Sequence, residues 1–225
     1  MAEASTRTVE RALSLLALVC EGDPLSLAES ARRAELSPST SLRLLRTLEA
    51  AGFVRRDEAG DFRAGSRIVQ LGAQALSNDN LVRACEPVMR EVSEATGESV
   101  YLSVAGHAEQ ALYVAIHEGT HSVRHANWVG RTIPLEGTAA GQVLRGATPA
   151  VGYVVVERGV ELDVTAIAAP VSAHGRVLGA ISVLVPSYRI TKPGVKRFGQ
   201  LLMDATAAIE QALGSAAPPQ RDALR

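Results

Sequence analysis

The stretch SLAESARRAELSPSTSLRLLRTLEAAGFVRR, residues 26–56, decides the fold. It carries two helix starts in close succession. Ser26 stands three residues before Glu29 in capping-box spacing, opening a short helix over about Leu27 to Ala34. Ser37-Pro38 then places a cap residue and a proline at the first helical position, and the next helix runs to about Ala51 and stops at Gly52. Its apolar stripe is Leu44, Leu45 and Leu48 with Ser41 one turn earlier. Ser39, Thr40, Leu42, Arg43 and Arg46 therefore point elsewhere. Beyond Gly52, Phe53–Arg56, a polar turn over Asp57–Asp61 and Phe62–Ala64 read as a two-stranded hairpin.

Working outward, Val9 to Val19 has helical apolar spacing and is broken by Glu21-Gly22-Asp23-Pro24. Helix, helix, helix and hairpin within about sixty residues is the order of a winged helix-turn-helix. On the exposed face of the second helix of the pair, hydroxyls and Arg can read base edges or grip phosphate, and Leu42 can meet a thymine methyl. From Arg32 to Arg67 eight Arg face five acids, a local charge of +3 that includes Arg55, Arg56 and Arg63 in the hairpin. Periodicity alone also fits a helical domain with a solvated Arg face.

On the other side of the hairpin, a helix from Ser66 to about Leu76 ends in the polar run Ser77-Asn78-Asp79-Asn80, a natural domain boundary. Leu81 to Thr96 is helical and closes at Gly97. Strands are expected at Ser99–Ala105, Gln110–His117, Ser122–Val129, Gly152–Val156, Val164–Val171 and Val177–Val185, with a short helix over Gly137–Leu144. A last amphipathic helix runs from Val195 to Leu213. The expected class is α+β: residues 1–65 a winged helix-turn-helix, 66–80 a linker helix, 81–213 an antiparallel sheet with flanking helices, and 214–225 a flexible tail. The small residues Gly137-Thr138-Ala139-Ala140-Gly141 would let backbone amides approach a ligand, and a helix start favours a carboxylate. Close helix packing on the sheet favours the same small side chains.

Composition excludes several classes. With 225 residues, 47% hydrophobic and 21% charged, the chain is globular rather than disordered throughout. No apolar run approaches the ~20 residues of a membrane helix, and no secretory signal opens the chain, so a cytoplasmic protein without membrane contact is expected. Cys20 and Cys85 lack metal or redox spacing and fit reduced thiols. Twenty-three Lys+Arg against 24 Asp+Glu leave a net charge of −1, so any case for nucleic acid is local.

Residue identity goes further. Thr8–Leu13, Leu36–Leu45 and Leu48–Arg56 resemble the IclR-type transcription factors. So do Thr96–Val100, Val129-Gly130-Arg131 with Pro134-Leu135, and Ala168–Val171. The resemblance implies a winged helix, a linker helix that helps dimerise, and a GAF-like C-terminal domain that binds a small effector. It also implies dimers or dimers of dimers on a palindromic double-stranded DNA operator, and no catalytic activity. Ser39, Thr40, Leu42 and Arg43 fall at the family's recognition-helix positions, though the family often has Lys in place of Pro38 and His in place of Leu42. The resemblance gives Ala139, Ala140, Val164, Ala166, Ser182 and Leu184 as effector-pocket positions. Members that bind small keto acids carry Cys at the Ala166 position and Ser at the Leu184 position. Their loss here implies a more apolar, even aromatic, effector, with Trp128 and Tyr101 as stacking surface or core. The family usually has some thirty more residues between Leu144 and Gly152, so one wall of the pocket is expected to be missing.

Enzyme readings fare poorly. His117-Glu118-Gly119-Thr120-His121 spells the zincin pattern, with His125 as a conceivable third ligand, but it works only on a helix. A strand-like run precedes it and Gly119-Thr120 reads as a turn. No nucleophile elbow, phosphate loop or dinucleotide fingerprint is present, and no cofactor or metal is expected.

Overall fold

The computed structural model describes residues 6–77 and 79–215. They fall into two compact units divided after Asn78. The tail expected at 214–225 lies outside the described residues beyond Ser215, where the last helix ends.

In the first unit α1 (Arg7–Cys20), α2 (Leu27–Arg33) and α3 (Pro38–Ala50) precede β1 (Val54–Arg56), β2 (Phe62–Ala64) and α4 (Ser66–Ser77). The caps are those the sequence announces. Ser26 Oγ accepts from the Glu29 N–H, Ser37 Oγ accepts from the Thr40 N–H, and Pro38 opens α3. The capping box is half formed, because the Glu29 carboxylate accepts from Arg32 instead of reaching back. β1 and β2 pair antiparallel, and Leu25 adds an isolated bridge to Phe62 that the hairpin reading did not foresee. Leu15, Val19, Leu44, Leu45, Val54 and Phe62 form one core, so the wing is tied to the helices through Phe62. A Cβ at Gly65 would overlap the Gly52 carbonyl, which lets the returning strand pass tightly against the end of α3.

The second unit contains α5 (Asn80–Thr96), β3 (Ser99–Ala105), β4 (Gln110–His117), β5 (Thr132–Pro134) and α6 (Ala139–Leu144). β6 (Val154–Glu157), β7 (Val164–Ala173), β8 (Arg176–Pro186) and α7 (Lys192–Ser215) complete it. Its sheet is antiparallel in the order β5-β4-β3-β8-β7-β6. The two-residue strand period sorts its faces. Val100, Leu102, Ile167, Ala169, Ile181 and Val183 face the side packed by α5 and α7. Tyr101, Tyr113, Ala168, Ala180 and Leu184 face the side packed by α6. His174 and Gly175, both at positive φ, close the β7–β8 hairpin as the turn at Ala173–Arg176 requires.

Two expectations are corrected. Ser122–Val129 is not a strand; β4 pairs with Thr132–Pro134 instead. Side chains take up the carbonyls of the 118–131 segment in place of a ladder: Arg189 donates to Val123 O, Ser99 to His125 O and Tyr101 to Ala126 O. The final helix starts at Lys192, three residues earlier than expected, because Pro193 is tolerated in a first turn.

Candidate functional site

Two places bring together the residues singled out by sequence. On α3 the buried side is Ser41, Leu44 and Leu45, with Leu48 half-buried. Ser39, Leu42, Arg43 and Arg46 line one shallow surface strip together with Thr47 and Ala50, two positions the sequence reading missed. Thr40 stands beside the strip, half-buried, with its hydroxyl accepting from Ser37 Oγ. Arg43, Arg46 and Arg55 are exposed and make no ion pair or side-chain hydrogen bond among the described residues. The other wing cations are engaged within the chain. Arg56 lies 3.5 Å from Glu49 and stacks on Phe62 at 4.7 Å. Arg63 donates to Asp57 at 2.9 Å, while Asp57 also accepts from the Ala59 and Asp61 N–H groups at the wing tip. The Arg63 guanidinium holds the Asp57 carboxyl below its ordinary range.

In the second unit Ala139, Ala140, Val164, Ala166, Ser182 and Leu184 all border one hollow between α6 and the sheet. Strand period puts Val164, Ala166, Ser182 and Leu184 on that face, and α6 brings its two alanines over them. Part of the small-residue run serves packing alone: a Cβ at Gly141 would overlap the Leu135 backbone. The start of α6 is also already served, since Thr138 Oγ1 accepts from the Gly141 N–H and donates to Pro134 O. Counted with its mouth the hollow is about 440 Å³, but only about 30 Å³ is open to the centre of a water-sized molecule. That is room for one or two waters rather than for a metabolite.

The remaining walls come from residues that sequence reasoning missed or only brushed. Tyr113, His125, Trp128, Gly159, Val160 and Glu161 border the hollow. His125 Nε2 lies 3.1 Å from Glu161 Oε2, joining the β4–β5 and β6–β7 connections. Its Nδ1 lies 2.8 Å from the Tyr101 hydroxyl. Burial holds the imidazole below the ordinary histidine value against the opposing pull of Glu161. Burial likewise pushes the Tyr113 phenol up to about 12. Tyr113 and His125 each meet Trp128 edge-on, at 6.4 and 4.8 Å between ring centres. Tyr101 is fully buried and packs with Tyr113, so it is core rather than lining. Ser182 Oγ is buried and has no hydrogen-bond partner among the described residues.

The zincin-like run sits on no helix. His117 ends β4, Glu118 pairs with Arg124, and His121 lies 3.7 Å from Glu98. Among the described residues no three metal-ligating side chains come together.

Residues 8–58 match the IclR helix-turn-helix domain, and residues 73–151 and 146–211 match the C-terminal domain of bacterial IclR transcriptional regulators. The chain belongs to the IclR family. It is 26% identical over 252 residues to the transcriptional repressor IclR of Escherichia coli K12, spanning 95% of this chain and 92% of that one. It is 31% identical over 139 residues to the acetate operon repressor of Salmonella typhimurium LT2, covering 60% and 51% of the two chains. Among solved structures, the IclR regulator from Alicyclobacillus acidocaldarius superposes with a TM-score of 0.80 at 21% identity, covering 92% and 99%. An IclR homologue from Microbacterium hydrocarbonoxydans, crystallised with 4-hydroxybenzoate, gives 0.76 at 22% identity, covering 93% and 100%. IclR-family proteins are DNA-binding transcriptional regulators and not enzymes.

The IclR C-terminal match breaks in two at residues 146–151, between α6 and β6, where the chain is short by sequence. On the open side of α6 the hollow is bordered by residues of the 118–131 and 158–163 connections, which His125 and Glu161 join. In sequence His125 suggests no more than a metal ligand, and nothing in the spacing of residues 125 and 161 signals their meeting.

Proposed function

We propose that this chain represses or activates nearby metabolic genes by binding a palindromic operator as a dimer or dimer of dimers in the cytoplasm, under control of a small apolar or aromatic effector. The observation that carries the reading is the α3 strip, where Ser39, Arg43 and Arg46 stand exposed beside half-buried Leu42, with both guanidinium groups unpaired among the described residues. Arg43 and Arg46 are the base-edge or phosphate donors, Ser39 and Thr40 the hydroxyl contacts at the helix start, and Leu42 the thymine contact. Arg55 is the free phosphate contact of the wing. Arg56 and Arg63 would add to it only by exchanging Glu49 and Asp57 for phosphate.

Self-association is supported by α4, none of whose residues is buried and which leaves Val69, Leu71 and Leu76 exposed. The hollow bordered by Ala139, Ala140, Val164, Ala166, Ser182 and Leu184 is the effector site. An aromatic effector is supported by Tyr113 and Trp128 in its walls and by the homologue crystallised with 4-hydroxybenzoate. Because the enclosed space holds little more than water, an effector enters only by parting the walls. Its differential affinity for the parted state is what shifts the population of binding-competent dimers.

Capture of sheared genomic DNA on the purified protein, followed by sequencing, tests this reading. Enrichment of fragments that share an inverted repeat is the expected result. Fragments recovered in proportion to the input would overturn it.

A further inference from the structure

We propose that the cleft where Glu98 and Arg189 meet the first turns of α7 is a second ligand site, separate from the hollow, and that it takes a phosphate monoester. The run RITKPGVKR, residues 189–197, holds four cations and no acid, and its Lys192 and Lys196 are the only lysines of the chain. Arg189, Thr191, Gly194 and Arg197 border the cleft together with Glu98 and His121, and it measures about 890 Å³ counted with its mouth. How Arg189 is held decides what the cleft offers. The buried Glu98 carboxylate accepts from Nε and Nη2 of Arg189 at 2.7 and 3.0 Å, and Nη2 also donates to Val123 O. Nη1 keeps both its N–H groups without an acceptor among the described residues. The guanidinium is thus fixed by a buried carboxylate while one of its nitrogens remains for a guest, which spares the guest the cost of ordering it.

The surroundings set the sign. Glu98 is the one acid that borders the cleft, and Arg189 already occupies it. His121 Nε2 stands 3.7 Å from the same carboxylate, and its ring is seated against Gly97, where a Cβ would come within 2.5 Å of that nitrogen. Arg197 is exposed and lies over the Phe198 ring at 5.1 Å, with no ion pair or side-chain hydrogen bond among the described residues. Lys192 and Lys196, also exposed and unpaired among the described residues, stand in the same turns of α7 and add to the local field. A carboxylate would bring one charge and two acceptor oxygens to this cluster. A phosphate monoester brings about −1.5 to −2 and three acceptor oxygens, enough to meet Nη1 of Arg189, the Arg197 fork and the Thr191 hydroxyl together. Because Arg189 also holds Val123 O, an occupied cleft tightens the 118–131 segment that borders the hollow, and the two places are thereby coupled.

Calorimetric titration of the full-length protein with glycerol 3-phosphate tests this, with inorganic phosphate and acetate as comparison arms at matched ionic strength. One ester per chain is expected, bound at least about tenfold more tightly than acetate. Inorganic phosphate is expected to bind more weakly than the ester, because it leaves the rest of the cleft unfilled. Arg197→Gln, at an exposed position that leaves the Glu98–Arg189 pair intact, is expected to weaken the ester by at least about tenfold. In the wild type, amide exchange over residues 118–131 is expected to slow when the ester is bound. Absence of saturable binding, acetate bound as tightly as the ester, or inorganic phosphate bound more tightly would each overturn the proposal. So would ester binding that survives Arg197→Gln, which would assign the phosphate to the α3 guanidinium groups, or exchange over 118–131 that the ester leaves unchanged. None of these results touches the operator reading, because genomic capture judges that separately.

Discussion

The surface strip on α3 and the hollow beneath α6 use similar residue types in opposite ways. On α3, Arg43 and Arg46 stand in solvent with their donors uncommitted among the described residues. Around the hollow, polar groups other than Ser182 are matched to each other, His125 with Glu161 and with Tyr101, Thr138 with its own helix. The strip can meet a charged polymer without rearranging. The hollow must give up internal contacts before it can accept a guest larger than water.

The contrast can be broken most forcefully through stability. Glu98 is 2% exposed in its side chain and receives two hydrogen bonds from Arg189, at 2.7 and 3.0 Å. Arg189 also donates to Val123 O in the 118–131 wall. Arg189→Ala strands a buried carboxylate and is expected to cost about 3–5 kcal/mol in urea unfolding. Leu45→Ala, in the winged-helix core, is expected to cost about 2–5 kcal/mol. Only Arg189→Ala should loosen the hollow, seen as faster amide exchange over residues 118–131. Equal loosening by both would erase the distinction.

The DNA side sharpens it next. Arg43→Ala is expected to lower specific affinity by about 1–3 kcal/mol, whereas Arg63→Ala should cost less because Asp57 already holds that guanidinium. Anisotropy titrations compare the two, and equal losses would show that the intramolecular pair does not restrain the wing.

A smaller effect concerns pH. Burial depresses the folded His125 value, so the unfolded chain takes up the proton first. Stability contributed by neutral His125 is therefore complete above about pH 6.5 and falls as pH drops toward the folded value. His125→Asn should flatten that limb of the urea-midpoint profile; an unchanged slope would remove His125 as its source.

The smallest test uses the two thiols as reporters. Cys20 is exposed in the first unit, while burial pushes the Cys85 thiol up to about 12 in the second. One thiol per chain is expected to react with a disulfide reagent before unfolding and the second only with it. Two rapid reactions would mean that the α5 face opens readily.

What the sequence discloses follows the range of the interactions. The winged helix was legible because caps, proline position and a 3.6-residue stripe are local; Ser26, Ser37 and Pro38 act within four residues of themselves. Leu25 pairing with Phe62 was not, since a single bridge has no periodicity to read. The strand faces that carry Val164, Ala166, Ser182 and Leu184 follow from alternation, whereas the irregular walls do not. Ser122–Val129 reads as a strand-like run in sequence, but its carbonyls are taken up by side chains from as far away as Arg189. His125 and Glu161 meet for the same long-range reason.

The account rests most directly on sequence-specific DNA binding by the α3 strip. Fluorescence anisotropy of wild-type protein and Arg43→Ala, on the protein's own upstream intergenic DNA and on a scrambled duplex across a salt series, measures it. The account predicts tight wild-type binding to the upstream DNA alone, a steep fall in affinity with salt, and loss of the preference in Arg43→Ala. Equal wild-type affinity for both duplexes at every salt concentration would contradict it.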